Sequence, residues 1–362
     1  MANSIAKACA ISFGAAIAAL AGIGAAAAQQ FPTDEKALYE AAKKEGTVVW
    51  YESAPIEPMK AIALEFEKKF PGIKVEVLRI AAVQQYQRFM EETQAKQHNA
   101  DVLALSDQPS VATLVTDKHV ADWKVPTHDR FPEVNHIGSF AYANTNTDIA
   151  IVYNTNKVKP EEVELLKTWK GIVDPRFKSR FAVTTMKCAT CYAPIHMFLD
   201  PKFKDEYGDK FIKQIAAQSP ASYPDIIVAL DRVVAGEQDF TYWTWEAAAL
   251  AKSQLGAPIR WVFPKPTPSF PSSFQFISAY APHPNAARLF QNWVMSEEGT
   301  LVFERVYGSG PILKDLPDVR SISKESWYKP VTEPYSVDFN RWDKNYHKDM
   351  DGWIKAIRAG GK

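Results

Sequence analysis

The chain has 362 residues, 46% of them hydrophobic, and its 42 Lys plus Arg balance 42 Asp plus Glu. That length suggests about two domains, and the apolar fraction is enough to fill their cores. The neutral balance leaves no electrostatic footprint for nucleic acid, so neither a nucleic-acid partner nor a large charged one is expected.

Lys7 is the only charge before Asp34, and an apolar stretch from Ala8 to Ala25 runs into Ala26-Ala27-Ala28 before Gln29. This reads as a secretory signal peptide cleaved near Ala28, too short and Ala-rich for a permanent span. Cys9 precedes that cut, so no lipid-anchoring cysteine is expected, and the simplest product is a free, monomeric periplasmic protein. In an oxidising compartment the two later cysteines, Cys188 and Cys191, have a local disulfide as their default state.

Thr33 can cap a helix carrying Leu38, Ala41 and Ala42 and ending at Gly46, after which Thr47 to Tyr51 reads as a buried strand. Pro58 suits the first turn of a helix with Met59, Ile62, Ala63, Phe66 and Phe70 on one face, stopped by Pro71-Gly72. Ile73, Val75 and Val77 alternate as a strand, Val83 to Gln97 is helical, and Asp101 to Leu105 is strand again. A βαβαβ order argues for a parallel sheet covered on both faces, with ligands beyond the carboxyl ends of the strands. The loops Ser53-Ala54 and Ser106-Asp107-Gln108 lie at such ends, and their helix-start N–H groups suit an anion. Ser and Asp before a helix are also ordinary caps.

The stretch from Ala141 to Lys157 contains the apolar run Asp148 to Tyr153 between Asn and Thr clusters. Alone it reads equally as a crossover between two lobes or as one more strand of a single sheet; similar units on both sides favour the crossover. Beyond it come a helix from Pro160 to Trp169, a strand from Phe181 to Thr184, and a loop through Lys187 to Cys191 leading to a helix from about Tyr192. Helices over Asp205 to Ala217 and Pro224 to Ala235 follow, then a strand from Asp239 to Trp243, a helix from Thr244 to Ser253 and a strand from Pro258 to Phe263. Lys265 to Ser273, with three prolines, predicts irregular chain before an extended second crossover at Phe274 to Tyr280. Asn285 to Met295 and Glu297 to Val306 are helical, and the aromatic tail from Ser321 is expected to pack across the first lobe, with Trp353, Ile354 and Ile357 on a last helical face.

Six stretches together resemble a known family: GTVVWYESAP (46 to 55), FEKKFPGIKVEVLR (66 to 79), RFMEETQAKQHNADVLALSD (88 to 107), IAIVYNTNKV (149 to 158), LGAPIRWVFP (255 to 264) and HPNAARLFQNWVMSEEGTLVFERVYGSGPI (283 to 312). The chain is similar to periplasmic solute-binding proteins of ABC transporters, in the ferric-iron, thiamine, phosphonate and spermidine group. The resemblance implies an α/β, type II periplasmic binding fold of two lobes joined by crossover strands, with a ligand cleft between them that closes on binding. It implies a first lobe over 29–147, a second over 148–277 and a return to the first over 278–362, with an inner-membrane ABC permease as partner. The iron binders of that group carry an adjacent Tyr-Tyr pair, whereas this chain reads Phe240-Thr-Tyr-Trp-Thr-Trp-Glu246, with Tyr242 alone. A hard ferric ion wants several anionic oxygens, so no metal or other cofactor is expected, although iron carried by Tyr242 and Glu246 stays an alternative.

Placed on that fold, Ser53, Ala54, Ser106 and Asp107 line one side of the cleft, and Thr185, Lys187, Thr190 and the Tyr242 to Glu246 segment the other. Tyr242 and Trp245 supply aromatic faces, Glu246 a carboxylate, and Ser272 and Ser273 hinge-side hydroxyls. Tyr242 and Trp243 point oppositely on a strand, so at most one faces the cleft. Lys187 before a helix start favours an anion. The Cys-x-x-Cys spacing at a helix start also fits a thiol oxidoreductase, the reading from another class. The residues lack the GxSxG, HExxH, GxGxxG and P-loop patterns, so the expected function is capture of a small anionic organic solute without chemistry.

Overall fold

The computed structural model describes residues 31–360, so the leader, Cys9 and the cleavage near Ala28 lie outside the described residues. The first unit runs α1 (Glu35–Glu45), β1 (Thr47–Glu52), α2 (Ile56–Lys69), β2 (Lys74–Arg79), α3 (Ala82–Gln94), β3 (Val102–Leu105) and α4 (Gln108–Thr116). Asp34, not Thr33, caps α1: its carboxylate accepts the Ala37 N–H at 2.9 Å, and Thr33 lies one residue too early. Gly46 ends the helix at φ 75°, a conformation open to glycine, and returns its N–H to the Ala42 carbonyl. β1 lies parallel between β2 and β3, burying Val48, Trp50 and Tyr51.

After a short β4 (His136–Ile137), the predicted crossover becomes a single long strand, β5 (Ala141–Asn154). Then follow α5 (Pro160–Leu166), β6 (Phe181–Thr184), α6 (Ala189–Phe198), α7 (Gly208–Ala217), β7 (Ala221–Tyr223), α8 (Ile226–Val234), β8 (Phe240–Trp245), α9 (Glu246–Gln254), β9 (Ile259–Val262) and β10 (Thr267–Ile277). The strand order β2-β1-β3-β10-β5-β8-β6-β7 makes one hydrogen-bonded path. Along it β5 changes partners: residues up to Asp148 pair with β10, and those from Ile149 onward pair with β8 and β9. The crossover and the shared sheet are thus the same object, a continuous strand that serves both lobes.

The Pro-rich segment is the main departure from the predicted elements, because Thr267 to Ser273 is strand and not irregular chain. Pro268 and Pro271 sit in β10, and the register shifts between Pro271 and Ser273 and again between Ser273 and Phe274, so local bulges accommodate residues without a ladder N–H. Other differences are at boundaries: α6 starts at Ala189 with Cys188 as its cap, α7 starts at Gly208, and the short β7 lay in a stretch without a strand-like pattern.

The chain returns to the first lobe through α10 (Pro284–Val294) and α11 (Glu297–Tyr307), whose Phe290, Trp293 and Phe303 pack with Trp50 and Phe66. Buried Asp101 joins the two passages, accepting from Val49 N at 2.8 Å and His283 N at 2.7 Å. Ile312 and Leu313 still belong to this core, but Ile322 and Tyr328 pack with Val152 and Trp261 of the second lobe. The expected packing of the tail across the first lobe is therefore corrected. β11 (Pro334–Ser336) pairs with β10, and α12 (Phe339–Gly360) lays Met350, Trp353 and Ile357 onto the second core, against α6 and α7. Trp353 has an aromatic partner there, Trp243, at 4.7 Å between ring centroids, which the heptad-like face could not identify.

Candidate functional site

A cavity of about 970 Å³ is lined from both lobes. Its floor is the crossover pair: Asn144, Thr145 and Thr147 from β5, and Ser272 and Ser273 from β10, with the Thr145 and Ser272 hydroxyls 3.0 Å apart. The first lobe contributes the loop after β1 and the end of α11. The second contributes Thr190 at the start of α6, Trp245 at the end of β8, and the small side chains Ala247, Ala248 and Ala251 of α9. This is the size and mixture expected of a small-molecule site: apolar faces with a few polar groups.

Of the residues expected at the cleft, Ser53, Ala54, Ser106, Thr190, Trp245 and Ser273 line this cavity. The Ser273 hydroxyl is buried and has no hydrogen-bond partner among the described residues. Asp107, Thr185, Lys187 and Tyr242 are outside its lining. Asp107 is exposed and accepts from the Ser110 hydroxyl within its own helix start. Thr185 donates its N–H to the Tyr223 carbonyl at 3.3 Å, a strand-end contact with β7. Lys187 is exposed and paired with Asp351 of α12 at 2.6 Å. Tyr242 is fully buried in the second lobe's core, its ring 4.4 Å from that of Trp243, and burial holds its phenol well above its usual range. Trp243 is buried too, because α12 covers the face that period-two alternation left free.

Glu246 also departs from its expected role. It lines a much smaller pocket beside the main cavity, where Arg320 Nη1 donates to Oε2 at 2.5 Å and Trp261 Nε1 donates to Oε1 at 3.2 Å. Burial raises its pKa and Arg320 opposes that rise. Arg320 itself is 3% exposed and also donates to Asp318 at 2.7 Å and to the Gly308 carbonyl at 3.3 Å. A guanidinium so fully engaged is a structural cross-brace, not a free ligand for an anion.

The residues that sequence reasoning missed are carboxyls. Glu52, the last residue of β1, is 1% exposed and lines the cavity. Its Oε1 accepts the N–H groups of Ser53 at 2.8 Å and Ala54 at 3.1 Å, the pair expected to be open to a ligand. The Asn144 side chain lies beside the carboxyl and, like the Ser53 and Ala54 N–H groups, opposes the rise that burial causes, while Oε2 makes no hydrogen bond among the described residues. Burial pushes this carboxyl up to about 7. Glu304 on α11 is alike: 2% exposed, Oε2 accepting Val319 N at 3.3 Å, Oε1 unpartnered, and pushed to about 7 by burial. Tyr307, one turn on, is raised to about 12 by burial and then by Glu52. The available signal was a charged residue ending the otherwise apolar strand TVVWYE, where burial is the default. At the cavity edge Arg79, Arg305 and Lys324 are exposed and have no carboxylate within 4 Å among the described residues.

The disulfide between Cys188 and Cys191 is present, with Cys191 buried at 1% exposure. It closes the first turn of α6, beside Thr190. Among the described residues no group of three His, Cys, Asp or Glu side chains converges as a metal site, and no helix is long and apolar enough to cross a membrane.

Two α/β lobes, crossover strands and an interlobe cavity define a type II periplasmic binding fold. Solved structures agree with this at low identity. Iron-bound HitA from Pseudomonas aeruginosa superposes with a TM-score of 0.65 at 18% identity, covering 87% of this chain and 99% of its own. The substrate-binding protein of an ABC transporter from Agrobacterium tumefaciens gives 0.67 at 19% identity, over 88% and 97%. AfuA from Actinobacillus pleuropneumoniae, with fructose-6-phosphate bound, gives 0.62 at 17% identity, over 87% and 99%. Curated protein sequences provide no match. The model of the bacterial extracellular solute-binding protein family matches residues 47–308, and the chain belongs to that family. It is a transport protein and not an enzyme, which removes the thiol oxidoreductase reading and leaves the disulfide as a brace.

Proposed function

We propose that this protein is the periplasmic receptor of an ABC importer, taking a small anionic organic solute into the interlobe cavity and delivering it to an inner-membrane permease. The observation that carries the reading is the cavity itself, with walls from two lobes, a floor of crossover strands, and Arg79, Arg305 and Lys324 uncompensated at its edge. Ser53, Ser106, Thr190 and Ser273 supply hydroxyls, and Trp245 a flat apolar face. Solute binding to both walls at once favours a closed arrangement, and only such differential affinity can give the permease a signal that cargo is aboard. The periplasmic address rests on the leader sequence. Small-angle scattering of the protein before and after removal of its co-purified solute tests this: the loaded form is expected to be more compact, and identical profiles with every solute tried would overturn the reading.

Ferric iron is the second reading, motivated by the iron-bound neighbour from Pseudomonas aeruginosa. The donor set weighs against it. Tyr242 is sealed in a core, Glu246 is held by Arg320, and Tyr307 is the phenol left at the cavity, with Glu52 and Glu304 as carboxyls. Titration with ferric citrate would decide, since phenolate-bound iron gives a visible charge-transfer band and the solute reading expects none.

A further inference from the structure

A helix start beyond the carboxyl end of a strand is the usual seat for a ligand's anion in this kind of sheet. Here the two loop N–H groups just ahead of α2, a helix that starts at Ile56, are already taken. Glu52 turns back over them, its Oε1 accepting from both Ser53 N and Ala54 N, so a solute's carboxylate or phosphoryl oxygen would meet a carboxyl in place of free N–H groups. The same side chain is 1% exposed, lines the cavity, and leaves Oε2 without a hydrogen bond among the described residues. A buried acceptor without a partner destabilises the empty protein, and that deficit disappears when a donor is delivered to it. Glu304, on the same wall, repeats the arrangement with Oε1 unpartnered. Arg305, also on α11, and Arg79 and Lys324 from other elements are the exposed cations lining the cavity.

We propose that Glu52 is the specificity-determining residue of the cavity: it occupies the loop N–H groups ahead of α2 and offers its free oxygen to an N–H or O–H group of the solute, whose anionic group binds at the Arg79, Arg305 and Lys324 edge. The solute class is therefore a small acid that also carries an ammonium or a hydroxyl, and a simple acid without a donor is rejected at this wall. The proposal rests on the solute-receptor reading above and sharpens it.

The test uses the full chain and inorganic phosphate as probe. Glu52→Ala frees both N–H groups, whereas Glu52→Gln keeps an oxygen over them while removing the charge. Calorimetric titration is expected to show phosphate binding to Glu52→Ala about tenfold or more tighter than to wild type, a gain of about 1.4 kcal/mol, with Glu52→Gln close to wild type. Equal phosphate binding by all three folded proteins would overturn the proposal, as would a Glu52→Gln gain equal to that of Glu52→Ala. The second measurement is high-resolution mass spectrometry of solute released from wild type, with labile hydrogens counted by deuterium exchange. A nitrogen-bearing acid identifies the donor as ammonium and a hydroxy acid identifies it as hydroxyl; a solute with no labile hydrogen beyond its acid groups would overturn the proposal. Failure of the receptor reading has a different signature, the absence of compaction with any solute, which leaves the phosphate comparison of Ala and Gln variants independently readable.

Discussion

Replacing Glu52 with Gln is expected to stabilise the solute-free protein in a strongly pH-dependent way. Gln keeps an oxygen to accept from Ser53 N and Ala54 N but resembles the protonated acid, so it removes only the burden of burying a charge. The folded carboxyl is displaced from 4.5 to about 7 by burial. Between those two values the folded protein binds the proton more tightly than the unfolded chain does, so its stability falls as pH rises. The penalty is absent below the unfolded value and complete above the folded one. At ~1.4 kcal/mol per tenfold in proton affinity it reaches about 3 kcal/mol near pH 8. With ~2 cal/mol/K of unfolding entropy per residue, that is a rise in melting temperature of about 4 °C for a chain of this length. Urea unfolding of both proteins at pH 4.5, 6 and 8, followed by far-ultraviolet circular dichroism, measures the difference. The comparison has to be between variant and wild type, because His196 is pushed down to about 4 by burial and gives wild type the opposite slope, losing stability as pH falls below 6.5. A gap between Gln and Glu proteins that does not change from pH 4.5 to 8 would refute the placement of this carboxyl in a dry wall.

Arg320→Leu is expected to lose about 3–5 kcal/mol, since Glu246 would be left buried with its charge uncompensated; adding Glu246→Gln should restore part of it in denaturant unfolding, and simple additivity of the two losses would count against a direct pair. Converting both Cys188 and Cys191 to Ser should lower stability by about 2 kcal/mol, as for a very short closed loop; equilibrium unfolding that gives no change would mean the bridge constrains nothing. Trp245→Phe should abolish most of the change in intrinsic fluorescence on solute removal, because Trp245 is the indole lining the cavity; an unaltered signal would place the solute elsewhere. Lys187→Ala should leave solute affinity within about twofold, given that Lys187 lies off the cavity and pairs with Asp351 at the surface; a tenfold loss in a binding titration would reinstate it as a ligand residue.

Local pattern carried the architecture well and the site only in part, for physical reasons visible in single residues. Helices α2, α10 and α11 have apolar faces at regular spacing, and β1 and β3 are apolar runs between turn residues, so periodicity is sufficient to place them. The first half of β10, Thr267 to Ser273, was hidden because prolines signal broken chain unless bulges absorb them, and bulges are set by the partner strand, β5. The destination of the tail was hidden because Trp353 and Ile357 mark a face that must be covered without saying by what. Ser53 and Ser106 could be placed at the cavity since strand ends are legible. Tyr242 could not be excluded from it, because its burial comes from Trp169 and Phe181, which other elements bring against its ring. Glu52 stood out only as a charge ending an apolar strand; that its side chain folds back onto the following two N–H groups is set by the burial around it and not by the local sequence.

The hinge follows from where hydrogen-bond ladders change hands. β5 and β10 are paired from Ser269 opposite Asp148 to Phe276 opposite Ala141, whereas from Ile149 onward β5 is held by β8 and β9. For the closure proposed above, rotation between the lobes is least costly at the junction of Asp148 and Ile149, where neither ladder has to break. The chain makes a third passage, from Leu313 in the first core to Ile322 in the second, and this one is not a sheet. It is braced by Arg320 against Glu246, Asp318 and Tyr328, the last accepting from Nη2 at 2.7 Å. Breaking that buried network on each closure would expose or strand charges, at a cost larger than a small solute's differential affinity can supply. The network therefore stays with the second lobe, and bending in this third passage falls between Leu313, in the first core, and Asp318, in the network.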